Sequence, residues 1–309
     1  MLRILAVAIN TFREAVRDRV LYGLLGVGIA VVTMSFFMAE LSLDQQERVM
    51  LDVGLASISL FSVVTAIFLG SSLLYKEIER KTLYVILPKA VARHEFLLGK
   101  FFGIVLTAFV FINIIGAIQL CVAAVQAELS LVLVGSTVLA VIGVLLVAVW
   151  RARDRTSVVV PWSALALAAC AGLAAQTSAP LVPALASMLL TLCEVLLLTS
   201  VALLFSSFST PFLTALFSFA VWLVGRSADA MVDIPGKALP QFIKDVLEKL
   251  VLVWPNFHLF VPGRNTLIHE IDNHAGPMSY VASSAIYAVC YSAILLLLAS
   301  LIFRRRDFI

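Results

Sequence analysis

Charge is what this chain has least of. Asp, Glu, Lys and Arg supply 13% of its 309 residues, about half the share usual in a soluble domain. That deficit excludes an ordinary water-soluble fold, and with it a nucleic-acid binder that would need a broad basic face. Cysteine is sparse too. Cys121, Cys170, Cys193 and Cys290 all fall inside apolar runs without paired spacing or a neighbouring His cluster, so they read as small core residues rather than disulfides or metal ligands. No G-x-x-x-x-G-K-[ST] occurs; Gly99-Lys100 and Gly236-Lys237 lack the upstream glycine and the Ser/Thr, so no phosphate cradle is expected. H-E-x-x-H and G-x-S-x-G are missing as well, and neither zinc-protease nor serine-hydrolase chemistry is expected. The N-terminal residues mix Arg3, Arg13, Glu14, Arg17, Asp18 and Arg19 into an apolar pattern, unlike a cleaved signal peptide.

What fills the chain is hydrocarbon: 62% hydrophobic residues and a mean hydropathy of +1.06. A bilayer core about 30 Å thick takes roughly 20 apolar residues per helix. The runs predict an all-α integral membrane protein with spans near 20–39, 53–74, 101–125, 129–150, 158–176, 182–205, 211–225 and 279–303. Thr210 and Pro211 suit the cap and first position of the seventh, while the fifth is short and Ala-rich. Residues 1–19 carry a helical period. Ile4, Leu5, Ala8, Phe12, Ala15 and Val16 share one arc, opposite Arg3, Asn10, Arg13, Glu14, Arg17 and Asp18. This predicts an amphipathic helix in the membrane interface, or the frayed start of the first span. Between 226 and 278, Phe242, Ile243, Val246, Leu247 and Leu250 lie opposite Lys244, Asp245, Glu248 and Lys249, predicting a second amphipathic helix. The W-P-N-F-H-L-F-V-P-G-R that follows reads as an interfacial loop over the bundle mouth.

Eight spans put both termini on one side. Placing that side in the cytoplasm gives it 16 of the 22 Lys and Arg residues, as the positive-inside rule requires. The densest charge is the loop 75–100 after the second span. It opens with the alternating signs of Lys76, Glu77, Glu79, Arg80 and Lys81, continues through an apolar stretch to Pro88, and resumes a helix from Arg93 to Lys100. A short, partly apolar helix held by charged flanks fits a groove on another protein; a solvated loop without a partner is the plainer alternative.

Glu194 is the one acidic residue deep in a span. An ionisable group there costs a few kcal/mol and faces the bundle interior. It could line a path or carry a proton, or be a protonated structural carboxyl bonded to Thr191 or to a neighbouring helix. His258, His269 and His274 with Glu270 and Asp272 lack the i, i+4 spacing of a metal site and read as a solvated loop. Gly99 and Gly103 form a small-x-x-x-small pair near the start of the third span.

The order E-x-x-R-K-T-L-Y-V-I-L-P-K-A-V-x-R-x-E-F-L-L-G-K-F-F-G over 77–103 resembles the ABC-2 type permease family, the membrane subunits of a class of ABC transporters. The amphipathic start, L-L-L-T-S-V-A-L-L-F-S-S-F-S-T in the sixth span, W-P-N-F in the outer loop and the terminal F-R-R-R-D-F are similar too, as in the branch of the nitrous-oxide reductase maturation permeases among others. The resemblance implies a half-transporter in a bacterial inner membrane, paired with a second permease copy. ATP and Mg would be bound by a separate ATPase subunit on the cytoplasmic face, with no cofactor in this chain. By the same likeness the loop is the coupling helix, with Glu77, Arg80, Lys81, Thr82, Pro88, Arg93 and Glu95 at or near the ATPase contact, and 1–19 is the interfacial elbow. Such permeases have six spans, so the hairpin at 128–178 stands out as extra. A gradient-driven carrier using Glu194 and a non-transporting membrane scaffold are the rival expectations.

Overall fold

The computed structural model describes residues 2–42, 45–79, 92–152, 154–227, 254–261 and 277–305. Among them every regular element is helical: α1 (Leu2–Val16), α2 (Arg19–Glu40), α3 (Gln46–Glu79), α4 (Arg93–Gln126), α5 (Leu131–Arg151), α6 (Val159–Ala174), α7 (Leu181–Ser206), α8 (Pro211–Arg226) and α9 (Pro277–Arg305), with a 3-10 turn at His258–Phe260. Six of them, α2, α3, α4, α5, α7 and α9, are long and apolar enough to cross a membrane. The chain is an α-helical multi-pass membrane protein. The helices at the expected fifth and seventh spans are α6 and α8, of 16 residues each. That is about 24 Å of rise, short of the ~30 Å hydrocarbon core.

Local sequence sets several of the boundaries. Asp18 caps α2 by accepting from the Val20 N–H, and Ser130 caps α5 by accepting from Leu133. Pro211 occupies the first turn of α8 as expected, but Thr210 makes no side-chain cap bond. The Thr214 hydroxyl pairs with that of Ser209, 2.7 Å away.

Helices α3, α4 and α7 form the centre. Helix α7 packs on α9, α3, α4 and α8, while α4 also carries α1, α2 and α6. Small residues bring the backbones close, as in membrane bundles generally. A Cβ on Gly70 of α3 would lie 2.6 Å from the Ala202 Cβ of α7. The hairpin α5–α6 attaches through α6. Trp162 donates to the Val141 carbonyl of α5 at 2.9 Å, and the Cys121 and Cys170 thiols of α4 and α6 face each other at 3.1 Å. Helix α5 is outermost; Val132, Leu139 and Trp150 lie 71–88% exposed on it, a surface apolar enough to face lipid.

The Gly99/Gly103 pair turns out to be the seat of α1. A Cβ on Gly99 would lie 3.1 Å from the Ile4 carbonyl oxygen, and one on Gly103 2.7 Å from that of Ala8. The buried stripe of α1 is therefore Ala8, Thr11, Phe12 and Ala15. It is rotated from the sequence arc, which Thr11 does not join, and Leu5 is left exposed. Two ion pairs fasten the helix. Lys100, 1% exposed, lies 3.6 Å from Glu14, and Arg13 bonds Asp154 in the connection between α5 and α6. Lys100, counted with the charged loop in the sequence, is thus a buried residue of α4.

Two expectations follow for α1. Gly103→Val should loosen it and destabilise the protein by about 1–3 kcal/mol, the usual cost of overpacking, measured by thermal unfolding in detergent. The second concerns pH. Hydrogen bonds from Ser157, then from Arg13 and Thr156, hold the Asp154 carboxyl down at about 2. A depressed carboxylate stabilises the fold above its ordinary value near 3.8, and that contribution disappears as pH falls through about 2. Hydrogen exchange in α1 should therefore be faster in Asp154→Asn than in the native protein at neutral pH, and the two should converge near pH 2.

Candidate functional site

Glu194 lies midway along α7, 0% exposed, and three hydrogen-bond donors surround it. Its Oε1 accepts from the Trp222 indole N–H at 2.7 Å and from the Arg226 guanidinium at 3.0 Å. Its Oε2 accepts from the Ser59 hydroxyl at 2.8 Å. Arg226 also donates to Ser59 at 3.2 Å and lies 5.2 Å from the Trp222 ring centroid, within cation–π range. The cluster thus closes on itself and ties α3, α7 and α8 together. Every neighbour gives a proton, so the carboxyl has only acceptor work to do, which is the work of a carboxylate. Thr191 is not a partner, since its hydroxyl donates to the Ser187 carbonyl. Its partners lie on the neighbouring helices α3 and α8, and all of them donate.

Sequence reasoning missed Ser59, Trp222 and Arg226. Arg226 seemed to open the outer segment because the apolar run ends at Gly225. The signal was available in principle: a buried acid within a span needs a base, and Arg226 ends the short run on the next helix. Ser59 gave no signal, as one hydroxyl among many on α3.

Further along the chain, residues 254–261 pack inside the protein. Phe257 donates its N–H to the Gly225 carbonyl at 3.1 Å, Trp254 donates to Val221 at 3.1 Å, and Tyr280 bonds the Leu259 carbonyl at 2.8 Å. Phe257 and Phe260 are 0% and 2% exposed. The W-P-N-F stretch therefore packs into the bundle as well as over it. Gly225 permits the approach, because a Cβ there would collide with the Pro255 carbonyl.

Beside this segment a cavity of about 380 Å³ is lined by Arg48, Asp52 and Ser59 of α3, Ser187 and Thr191 of α7, and Phe260. Arg48 and Asp52 pair at 3.7 Å. From them to Ser59 the cavity follows α3 for about 17 Å, and the Ser59 hydroxyl separates its floor from Glu194. The vestibule leads from the end opposite α1 to the buried charge pair.

At the α1 end, the residues expected to touch an ATPase divide. Glu77 lies in the last turn of α3. Arg80, Lys81, Thr82 and Pro88 lie outside the described residues, as do the amphipathic stretch 242–253 and His269, Glu270, Asp272 and His274. Arg93 starts α4 and donates to the Phe303 carbonyl of α9 at 3.1 Å. Glu95 accepts from the Ala92 N–H at 3.1 Å, closing the first turn. Phe96 stacks on Phe303 with centroids 6.5 Å apart. These contacts brace the base of segment 80–91 against α9.

No protein-family model matches the chain, and no curated protein matches it either.

The cluster yields a stability expectation. Glu194→Gln leaves the Arg226 cation without its counter-charge and should cost about 3 kcal/mol, while Ser59→Ala should cost about 1 kcal/mol. Adding Arg226→Gln to Glu194→Gln should recover part of the loss, read as a non-additive shift in thermal unfolding.

Proposed function

We propose that the chain is the permease subunit of an ATP-driven ABC-2 type transporter, working with a separate ATPase and a second permease copy. In this reading both termini and segment 75–100 face the cytoplasm of a bacterial inner membrane, and the direction of transport is export. The carrying observation is the construction around that segment. Helices α3 and α4, 34 residues each, run from it through the whole bundle, and the base of α4 is fastened to α1 and α9. A push on the segment therefore becomes a tilt of the central helices rather than a local bend. The side-sharing of α1, the start of α4 and the connection after α5 supports the orientation. Arg13–Asp154 and Lys100–Glu14 hold together three basic regions that the positive-inside rule assigns to one face.

A gradient-driven carrier is the second reading, favoured by the vestibule that ends at Ser59. The closed hydrogen-bond set around Glu194 weighs against it, because both oxygens already accept and a proton on either would displace at least one donor.

Three substitutions separate the readings. Arg80→Glu should abolish copurification with the ATPase, or uncouple ATP hydrolysis from transport, and Arg93→Glu should do the same with an added loss of stability from its bond to Phe303. Unchanged coupled transport in Arg80→Glu would reject the ATPase contact. Nucleotide-independent transport that is lost in Glu194→Gln would establish the carrier instead.

A further inference from the structure

Between α4 and α9, at the α1 end, lies a groove of about 910 Å³. Its walls are apolar: Leu97 and Phe101 of α4, Leu297 and Val289 of α9, and Leu196 of α7 at its deep end. Arg93 and His94 stand at its mouth, and among the described residues no acidic side chain lines it. The nearest carboxylate in sequence, Glu95, is turned to the Ala92 N–H. The first turn of α4 adds its exposed N–H groups and the positive end of a helix dipole at the same place. We infer that this groove holds one anionic phospholipid, with its phosphate on Arg93 and His94 and an acyl chain between α4 and α9.

Depth argues for lipid over protein. From Leu301 to Val289 the groove follows α9 for about 18 Å, close to the thickness of one leaflet of a ~30 Å hydrocarbon core. An acyl chain fits a slot of that length, which ends halfway along α9 near the level of Glu194. Charge argues the same way. Basic residues at the mouth of an interhelical pocket select anionic headgroups, while a purely annular lipid would need neither. The outer rim is open to the bilayer, since Val289, Leu297 and Leu301 are 56–65% exposed, so a chain enters sideways. The position has a consequence. Arg93 already fixes α4 to the Phe303 carbonyl, and a phosphate on the same side chain adds the membrane itself to that joint. The inference needs only the membrane placement of the helices and stands apart from the transport reading.

The test uses the full chain in nanodiscs of mixed phosphatidylcholine and phosphatidylglycerol, followed by extraction and native mass spectrometry. Wild type should retain about one phosphatidylglycerol per chain in preference to phosphatidylcholine. His94→Glu, which leaves the Arg93–Phe303 bond untouched, should lower that retention about fivefold, the worth of one charge near a membrane surface. Ala293→Trp should block the groove and remove retention with both basic residues intact. Equal retention of the two lipids by wild type would overturn the proposal, as would undiminished phosphatidylglycerol in both variants. So would cross-linking between two copies through Leu297→Cys in the native membrane, which would make the groove a protein interface.

Discussion

The ion pair between Glu194 and Arg226 decides more of this structure than any other contact. Each charge alone at that depth would be costly; together, with Trp222 and Ser59 completing the shell, they are tolerable. The requirement that Arg226 reach Glu194 fixes the length of α8. Its 16 residues carry the guanidinium to the middle level of α7, where the helix stops. Among the described residues, what covers the bundle above α8 is the largely non-helical chain 254–261. Such backbone survives at membrane depth only when protein covers it, and Phe257 and Phe260, almost fully buried, with the bonds to Gly225, Val221 and Tyr280 supply that cover.

A second set of constraints gathers at the opposite end. Helix α1, the connection after α5, the start of α4 and the end of α9 come from four distant parts of the chain. Lys100–Glu14, Arg13–Asp154 and Arg93–Phe303 link them into a collar at the base of segment 80–91. The two centres are joined mechanically by α3. Ser59 belongs to the charge cluster, and Glu79 ends the helix about 30 Å away. On the proposed reading, movement imposed at the collar reaches Glu194 through one continuous helix, whose contact with α7 at Gly70 and Ala202 leaves little slack.

The sequence made the helices legible because apolar runs of 20 or more residues have few alternatives in water or lipid. It also marked Glu194, since one carboxylate in L-L-T-L-C-E-V-L-L-L contrasts with everything around it. What it could not show were pairings across the chain. Arg13 and Asp154 are separated by 141 positions, and Ser59 and Glu194 by 135, and no local pattern encodes such distances. The docking face of α1 was not legible for a related reason. Amphipathicity ranks residues by their affinity for lipid, whereas the face that docks is chosen by fit. Thr11 is buried because Gly103 leaves room for it, and Leu5 is left to the bilayer. Arg226 was hidden by its position, where the end of an apolar run looks the same whether the base points to water or back into the protein.

The closed geometry of the cluster also bears on how a vestibule can end at a charge pair without being a route through it. Oε1 and Oε2 are both occupied, and Arg226 spends one nitrogen on two partners. Water or solute in the vestibule passes the Arg48–Asp52 pair and then meets the Ser59 hydroxyl before it reaches Glu194. Opening a path would require α8 to move away from α7, since Trp222 and Arg226 both ride on α8 while Glu194 stays on α7. The bonds that seal the site are therefore the bonds that hold α8 in place, and anything that tilts α3 pulls on Ser59 and strains the same set. The cluster acts as a latch: rigid while intact, and released only by a displacement large enough to break several charge-assisted hydrogen bonds together.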